Sequence, residues 1–298
     1  MELAIIDFFQ NYFFQGLIYF LSYAGHLFVV MGVAMVIYLV IDKELGAKTL
    51  VFYFTSMLGN AYLKEWIGRE RPVAAGANQI IENSMQPSMP SGHTQGLAAF
   101  LFPVARKANR RNVYLICAAV LLFVCFSRIY LGQHYLSDVL VGAAVGLAIA
   151  VLLELVYVFA KDRANLFLLG LIPVSIGLML AFPDYRDAFV SAGVLCGTLI
   201  GINLETKFVG YKVSGSILNR TFKVLTASVA GGVLMSPFVL LYTFEAIPAN
   251  PGIFAMFFML TLAVTLVCPL MFTKVKFFDR VFNKKELSRK QPEELPVN

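Results

Sequence analysis

Charged residues are scarce in this chain. Only 14% of its 298 residues are charged, whereas 59% are hydrophobic and 14% are aromatic. An ordinary soluble domain has about 25% charged residues, so a soluble fold of this length would lack the charge needed to coat its apolar surface. The composition excludes intrinsic disorder and a nucleic-acid-binding tail protein, and it predicts a membrane protein.

The cysteine patterns of a disulfide scaffold or a metal site are also missing. No C-x-x-C pair occurs, and no cysteine stands beside a histidine at ligand spacing. The four cysteines lie in apolar runs, which predicts small buried side chains; they are Cys117, Cys125, Cys196 and Cys268. The first basic residue is Lys43, so the N-terminus lacks the basic region of a cleavable signal peptide.

What the chain has instead is a series of apolar runs long enough to cross a bilayer, which takes roughly 20 residues per helix. We predict an all-α, polytopic membrane helix bundle of about nine transmembrane helices. The predicted spans are residues 25–42, 47–64, 91–105, 112–128, 136–160, 165–182, 188–204, 222–243 and 253–273. Residues 1–24 are apolar but interrupted by polar residues, which favours an interfacial helix over part of a longer first span.

The basic residues are distributed unevenly over the predicted loops. With the N-terminus outside, nine spans place 19 of the 24 Lys and Arg residues on the inner side. This asymmetry predicts a multi-pass plasma-membrane protein with a cytoplasmic C-terminus. The five cations left outside are Lys64, Arg69, Arg71, Arg128 and Arg186.

Three short segments at the predicted outer surface hold nearly all the unusual polar residues. The first, residues 64–72, reads KEWIGRERP; the second, residues 90–93, reads PSGH; the third, residues 127–138, reads SRIYLGQHYLSD. Three cations on one face of the membrane, Lys64, Arg71 and Arg128, suit a phosphoryl group.

Helix geometry adds two further features. The backbone N–H groups of Ser91, Gly92 and His93 at a helix start are expected to point at an anion. His134 and Asp138 lie four residues apart and share a helix face, so the carboxylate can orient the imidazole. His93 supplies a second imidazole. The combination indicates a phosphoryl-transfer site.

The pattern K-x6-RP, PSGH, SR-x5-H-x3-D resembles the three signature motifs of the type-2 phosphatidic acid phosphatase superfamily. Every motif position is matched: Lys64, Arg71, Pro72, Pro90, Ser91, Gly92, His93, Ser127, Arg128, His134 and Asp138. The resemblance covers roughly residues 25–160.

The resemblance implies a mechanism that needs no metal ion and no cofactor. His134 attacks phosphorus to form a phosphohistidine, and Asp138 orients it. His93 protonates the leaving oxygen and then activates water. The phosphoryl oxygens are held by the implied phosphate-binding residues Lys64, Arg71, Ser91, Gly92 and Arg128, and Pro72, Pro90 and Ser127 support the site.

Several residues also have less specific interpretations. Ser127 is expected to hydrogen-bond within its own turn, and Arg69 and Glu70 to form a solvated pair. We expect His26 to be an interfacial or packed residue, and Glu154 to snorkel or to hydrogen-bond locally. Glycines repeat every fourth residue at 142 and 146 and again at 193, 197 and 201, which predicts close helix packing within the bundle.

The domain prediction is a phosphatase core with all three motifs at residues 1–160, additional transmembrane helices at 161–273 and a basic cytoplasmic tail at 274–298. In this scheme six helices form the core. The predicted partners are the lipid bilayer and a membrane lipid phosphate, with no nucleic acid.

The predicted function is removal of phosphate at the outer face from a lipid phosphomonoester or diphosphate. Undecaprenyl diphosphate, phosphatidylglycerol phosphate and phosphatidic acid are the candidate types. One alternative is the same chemistry on a soluble sugar phosphate, as in glucose-6-phosphatase. Another is a lipid transporter that only binds phosphate, although binding alone requires no oriented nucleophile.

Overall fold

A computed structural model describes residues 2–12, 16, 18, 22–76, 86–243 and 249–274. Within these residues every regular element is helical. The helices are α1 (Glu2–Tyr12), α2 (Leu27–Ile41), α3 (Lys43–Ile67), α4 (Gly92–Ala108), α5 (Arg111–Tyr130), α6 (Leu136–Ala160), α7 (Ala164–Leu168), α8 (Leu171–Ala181), α9 (Arg186–Phe208), α10 (Ile217–Thr243) and α11 (Ala249–Lys274).

Five of the described helices are long and apolar enough to span a membrane. They are Arg111–Tyr130, Leu136–Leu168, Arg186–Phe208, Ile217–Leu241 and Ala249–Lys274. The all-α, multi-pass prediction is therefore confirmed, whereas the count of nine spans stays a prediction. Two further apolar helices, Leu27–Ile41 and Leu171–Ala181, are shorter.

The two remaining predicted spans fall on α3 and α4. Helix α3 has 25 residues but carries polar side chains along its length, among them Asn60 and Lys64, which are buried inside the bundle. Helix α4 has 17 residues and is about 26 Å long at 1.5 Å per residue. The polar residues of α3 suit a helix that neighbouring helices of the bundle cover. The short length of α4 suits the same kind of position.

Local signals in the sequence set the ends of α3. Asp42 caps its first turn by accepting a hydrogen bond from the N–H of Leu45 at 3.0 Å. Gly68 ends it in the left-handed conformation, at φ 63°, and donates its N–H to the carbonyl of Lys64 at 2.9 Å. The basic side chain of Lys64 is thereby fixed on the last helical turn.

The glycine repeats lie where helix backbones approach closely, as predicted. A Cβ atom on Gly146 would overlap the carbonyl oxygen of Gln95, and one on Gly142 would lie 2.8 Å from that of Ser91. Helix α6 therefore packs directly on α4, which brings the second motif beside the third. Gly193, Gly197 and Gly201 pack α9 on α11 in the same way.

Three ion pairs join helices at the end of the bundle predicted to lie inside. Lys43 pairs with Glu205 at 2.9 Å and Lys107 with Asp42 at 3.0 Å. The Glu154 carboxylate lies 3.5 Å from Nζ of Lys48 on α3, and its Oε2 has no hydrogen-bond partner among the described residues, so snorkelling or a local hydrogen bond stays a prediction for this residue.

Two predictions concern the ends of the chain. Of residues 1–24, helix α1 and a few later positions are described, and α1 contacts α5; its position relative to a membrane surface stays a prediction. Nearly all of the predicted basic tail, residues 275–298, lies outside the described residues.

Candidate active site

The three motifs converge on one cavity of about 210 Å³. It lies between the end of α3, the start of α4, the end of α5, the loop before α6 and the start of α9. Six of the residues predicted from the motifs line it: Lys64, Arg71, Gly92, His93, Arg128 and His134.

The imidazole of His134 is held against the start of α6. Its Nδ1 atom lies 3.5 Å from Oδ2 of Asp138, which is longer than a hydrogen bond. The same Oδ2 accepts the N–H of Tyr135 at 2.9 Å, so Asp138 also caps the helix. Contacts between catalytic side chains, such as that between His134 and Asp138, are often long without substrate and shorten in the reactive complex.

Burial and charge together set the protonation of His134, whose side chain is 3% exposed. Burial lowers its pKa well below the ordinary value, and the nearby cations Lys64, Arg71 and Arg128 lower it further. The imidazole is therefore neutral at neutral pH. A neutral imidazole has the free electron pair that a nucleophile needs.

Two of the three cations are fixed by backbone carbonyls. Lys64 donates from Nζ to the carbonyl of Pro87. Arg71 donates from Nε to the carbonyl of Gln86 at 2.8 Å and from Nη1 to that of Gln133 at 2.9 Å. Burial lowers the pKa of Arg71, although the carboxylates of Asp138 and Asp187 act in the opposite direction.

The third cation, Arg128, is 6% exposed, and its Nε has no hydrogen-bond partner among the described residues. A buried guanidinium with an unpaired donor is costly unless an anion binds there. Arg128 therefore makes the cavity a suitable site for a phosphoryl group.

The second motif departs from expectation at Ser91. Its N–H donates to the carbonyl of Asp138 at 3.0 Å, so this donor is already used and the expectation that it faces an anion is wrong. The Ser91 side chain is fully buried, accepts a hydrogen bond from Thr94 at 3.2 Å and does not line the cavity. Gly92 and His93 of the same motif do line it.

The supporting motif residues have structural contacts. Ser127 is buried and donates to the carbonyl of Val124 at 2.8 Å, which confirms the local interpretation. The carbonyl of Pro90 accepts from Asn60 at 3.1 Å and links the second motif to α3. Pro72 begins a 3-10 turn, Pro72–Ala75, directly after Arg71.

The interpretation of Arg69 as part of a solvated pair with Glu70 is wrong. Its Nη1 donates to Oδ1 of Asp138 at 2.9 Å, and its Nη2 pairs with Glu2 on α1 at 2.7 Å. The guanidinium also stacks over the Tyr135 ring, 4.1 Å from its centroid. Arg69 thus holds the carboxylate that faces His134, while Glu2 holds Arg69.

Loss of the Arg69 contact is expected to slow turnover without weakening substrate binding. In Arg69→Gln, Asp138 keeps its backbone contact but loses a charged donor, so His134 is oriented less well. We expect kcat to fall about tenfold with little change in KM, and Arg69→Lys to recover part of the loss. The measurement is steady-state kinetics of phosphate release, with Glu70→Gln as the matched control because that neighbouring carboxylate is exposed. A loss confined to KM, or no loss, would contradict this positioning role.

Sequence reasoning missed other residues that line the cavity. His26, at the start of α2, lies with its ring centroid 6.1 Å from that of His93. It also packs against the rings of Tyr23 and Phe28, as predicted, but it faces the cavity as well. Asp187 and Ser191 on α9 also line the cavity, although they are far from all three motifs in the sequence. In the sequence, the one indication that Asp187 and Ser191 belong to the site is their position at the predicted outer end of the span 188–204.

Comparisons with known proteins agree with the motifs. The sequence model of the PAP2 superfamily matches residues 45–163. A second model, described as "PAP2 superfamily phosphatase, transmembrane extension", matches residues 189–280. Together the two matches cover more than two thirds of the chain.

Two characterised relatives carry names of lipid phosphatases. Phosphatidylglycerophosphatase B of Bacillus subtilis is 35% identical over 119 residues, which are 37% of this chain and 56% of that protein. Lipid A 4'-phosphatase of Porphyromonas gingivalis is 28% identical over 172 residues, 52% of this chain and 70% of that protein. The match thus spans little more than half the length of the Bacillus protein.

Two solved structures give partial matches. The crystal structure of Aquifex aeolicus LpxE aligns with a TM-score of 0.45 at 18% identity, covering 51% of this chain and 93% of that one. A transmembrane PAP2-type phosphatidylglycerolphosphate phosphatase from Bacillus subtilis aligns with a TM-score of 0.42 at 27% identity, covering 51% and 81%.

Proposed function

Because this chain belongs to the PAP2 superfamily, we propose that it is an integral membrane phosphatase that releases phosphate from a lipid phosphomonoester or diphosphate. The observation that carries the proposal is the single cavity in which His134, with Asp138 behind it, faces three cations and a second imidazole. Relatives named as phosphatases of lipids support the same substrate class.

The proposed reaction has two displacements at phosphorus. Nδ1 of His134 faces Asp138, which leaves Nε2 to attack. A P–N bond forms as the P–O bond to the lipid breaks, and His93 gives its proton to the leaving oxygen. In the second step His93 takes a proton from water, the water oxygen bonds to phosphorus, and the P–N bond breaks to release inorganic phosphate.

The cations stabilise the charge that builds up at phosphorus. Lys64, Arg71 and Arg128 line one small cavity, and the carbonyl contacts of the first two hold their charges in place before substrate arrives. Donors fixed in advance at a developing charge cost no reorganisation during the reaction. The residues proposed to do the chemistry all belong to this chain, and the mechanism uses no metal ion.

The depth of the cavity supports a lipid substrate. Trp66 follows Lys64 by two residues and is 85% exposed at the end of α3. Exposed tryptophan is typical of the interface between the hydrocarbon core and water. The exposed Trp66 thus supports a position of Lys64 at the level of lipid head groups, and the uneven distribution of basic residues supports the extracytoplasmic face.

A phosphate-release assay on the purified full chain tests the proposal. The assay compares a lipid monophosphate, a polyprenyl diphosphate and glucose 6-phosphate in the same detergent, each with and without EDTA. We expect release from lipid phosphates that EDTA leaves intact, and at least tenfold less from glucose 6-phosphate, because that sugar gains nothing from the membrane interface.

Each other outcome of this assay rejects part of the proposal. Preference for glucose 6-phosphate would favour the sugar phosphatase. Activity that EDTA abolishes and Mg²⁺ restores would contradict the metal-free mechanism. Binding of lipid phosphate without any release would favour the transporter.

A further inference from the structure

Helix α9 brings a carboxylate into the cavity from outside the three motifs. Asp187 lies in the first turn of α9, and the cavity is also lined by Val190 and Ser191, three and four residues further on. Residues at this spacing share one helix face. Helix α9 packs against both α3 and α11, so the position of this face relative to the cations is fixed by the bundle.

The charge of the cavity lining is set by four side chains. Lys64, Arg71 and Arg128 contribute three positive charges, and Asp187 is the one carboxylate among the described residues that line the cavity. Asp138 stands behind His134 and does not line it. Apart from the proton that His93 carries for the leaving oxygen, these four side chains give the lining a formal charge of +2.

That charge matches one phosphoryl group and not two. A phosphomonoester carries about two negative charges at neutral pH, which the lining balances. The second phosphoryl group of a diphosphate adds at least one more negative charge. The three cations would still attract it, but the carboxylate of Asp187 would repel it.

The repulsion acts in a small space, and no described residue pairs directly with the carboxylate. Asp187 forms no hydrogen bond and no ion pair with any described residue, although it is near enough to Lys64 and Arg71 to interact with both electrostatically. A second phosphoryl group bound inside this cavity of about 210 Å³ shares it with the Asp187 carboxylate, which lines it. Two charges a short distance apart interact more strongly in a partly dehydrated site than in water.

We propose that Asp187 is a specificity-determining residue that makes this chain select lipid phosphomonoesters over lipid diphosphates. The inference rests on the proposed phosphatase function and deepens it by choosing between the two lipid phosphate classes. Specificity of this kind is gained by repelling the wrong ligand as well as by binding the right one.

The test uses two substrates that share one lipid tail, farnesyl monophosphate and farnesyl diphosphate. For the wild-type chain we expect kcat/KM for the monophosphate to exceed that for the diphosphate by about tenfold or more. Asp187→Asn keeps the shape of the side chain but removes its charge, so this ratio is expected to fall by about tenfold. Asp187→Glu keeps the charge and is expected to keep most of the preference.

Asp184→Asn is the matched control, because it removes an exposed carboxylate three residues earlier that does not line the cavity. It should leave the ratio within about twofold of wild type. An unchanged ratio in Asp187→Asn, or a wild-type chain that prefers the diphosphate, would overturn the inference while the phosphatase proposal stands. Release from neither substrate by the wild-type chain would overturn both.

Discussion

His134→Ala is expected to abolish phosphate release from every lipid phosphate that the wild-type chain hydrolyses. The substitution removes the proposed nucleophile, whose imidazole lies 3.5 Å from the buried carboxylate of Asp138 and lines the cavity together with the three cations. Loss of a covalent nucleophile in other hydrolases lowers kcat by about 10⁴-fold or more. The measurement is kcat from single-turnover phosphate release, which detects slow residual chemistry.

A binding measurement distinguishes loss of chemistry from loss of fold in this variant. Lys64, Arg71 and Arg128 remain in His134→Ala, so inorganic phosphate should still bind and raise the thermal unfolding temperature as it does in the wild-type chain. Activity within tenfold of wild type would contradict the assignment of His134 as nucleophile.

His93→Ala is expected to show a loss that depends on the leaving group. A lipid alkoxide is a poor leaving group and needs a proton from His93, so kcat for a lipid phosphate should fall by about 10²- to 10⁴-fold. The nitrophenolate of p-nitrophenyl phosphate departs without a proton. For this substrate the first step should slow much less, which a burst of nitrophenol in rapid-mixing experiments would report.

The comparison between the two substrates is internally controlled, because both are measured on the same variant. Equal losses on the lipid phosphate and on the first step with p-nitrophenyl phosphate would contradict the role of His93 as proton donor. They would instead indicate that His93 positions the phosphoryl group or another residue.

Residues that act within a short segment were predictable from the sequence. The motifs located Lys64, Arg71 and His134, because local chain geometry brings each motif to one end of a helix. The same motif spacing located Asp138, four residues from His134 on one helix face. The small-residue repeats predicted close helix packing within the bundle, since glycine is needed where two backbones approach closely; the structure shows that α4 is the partner of α6.

Contacts between distant segments were not predictable in this way. Arg69 reaches Asp138 and Glu2, each more than 60 residues away, and its position inside the first motif gives no sign of either partner. Asp187 and His26 enter the cavity through helix packing and not through spacing. The carbonyl of Asp138 takes the N–H of Ser91 only because α4 and α6 are packed together.

The predicted count of nine membrane crossings includes α3 and α4, which are less apolar than the other predicted spans for a related reason. Helices α3 and α4 carry the polar residues of the site on surfaces that other helices cover, so their low hydropathy reflects burial against protein. A hydropathy rule recognises a spanning helix by its lipid-facing apolar surface, so crossing of the membrane by α3 and α4 stays a prediction.

A search for the proposed phosphohistidine on His134 is the most direct test of the central claim. The full chain is mixed with a lipid phosphate radiolabelled at phosphorus, quenched in alkali within one turnover and digested, and the labelled peptide is sequenced. The proposed mechanism predicts an alkali-stable, acid-labile label on His134 that is absent from His134→Ala. Turnover without any labelled protein, or a label on His93 or another residue, would contradict it.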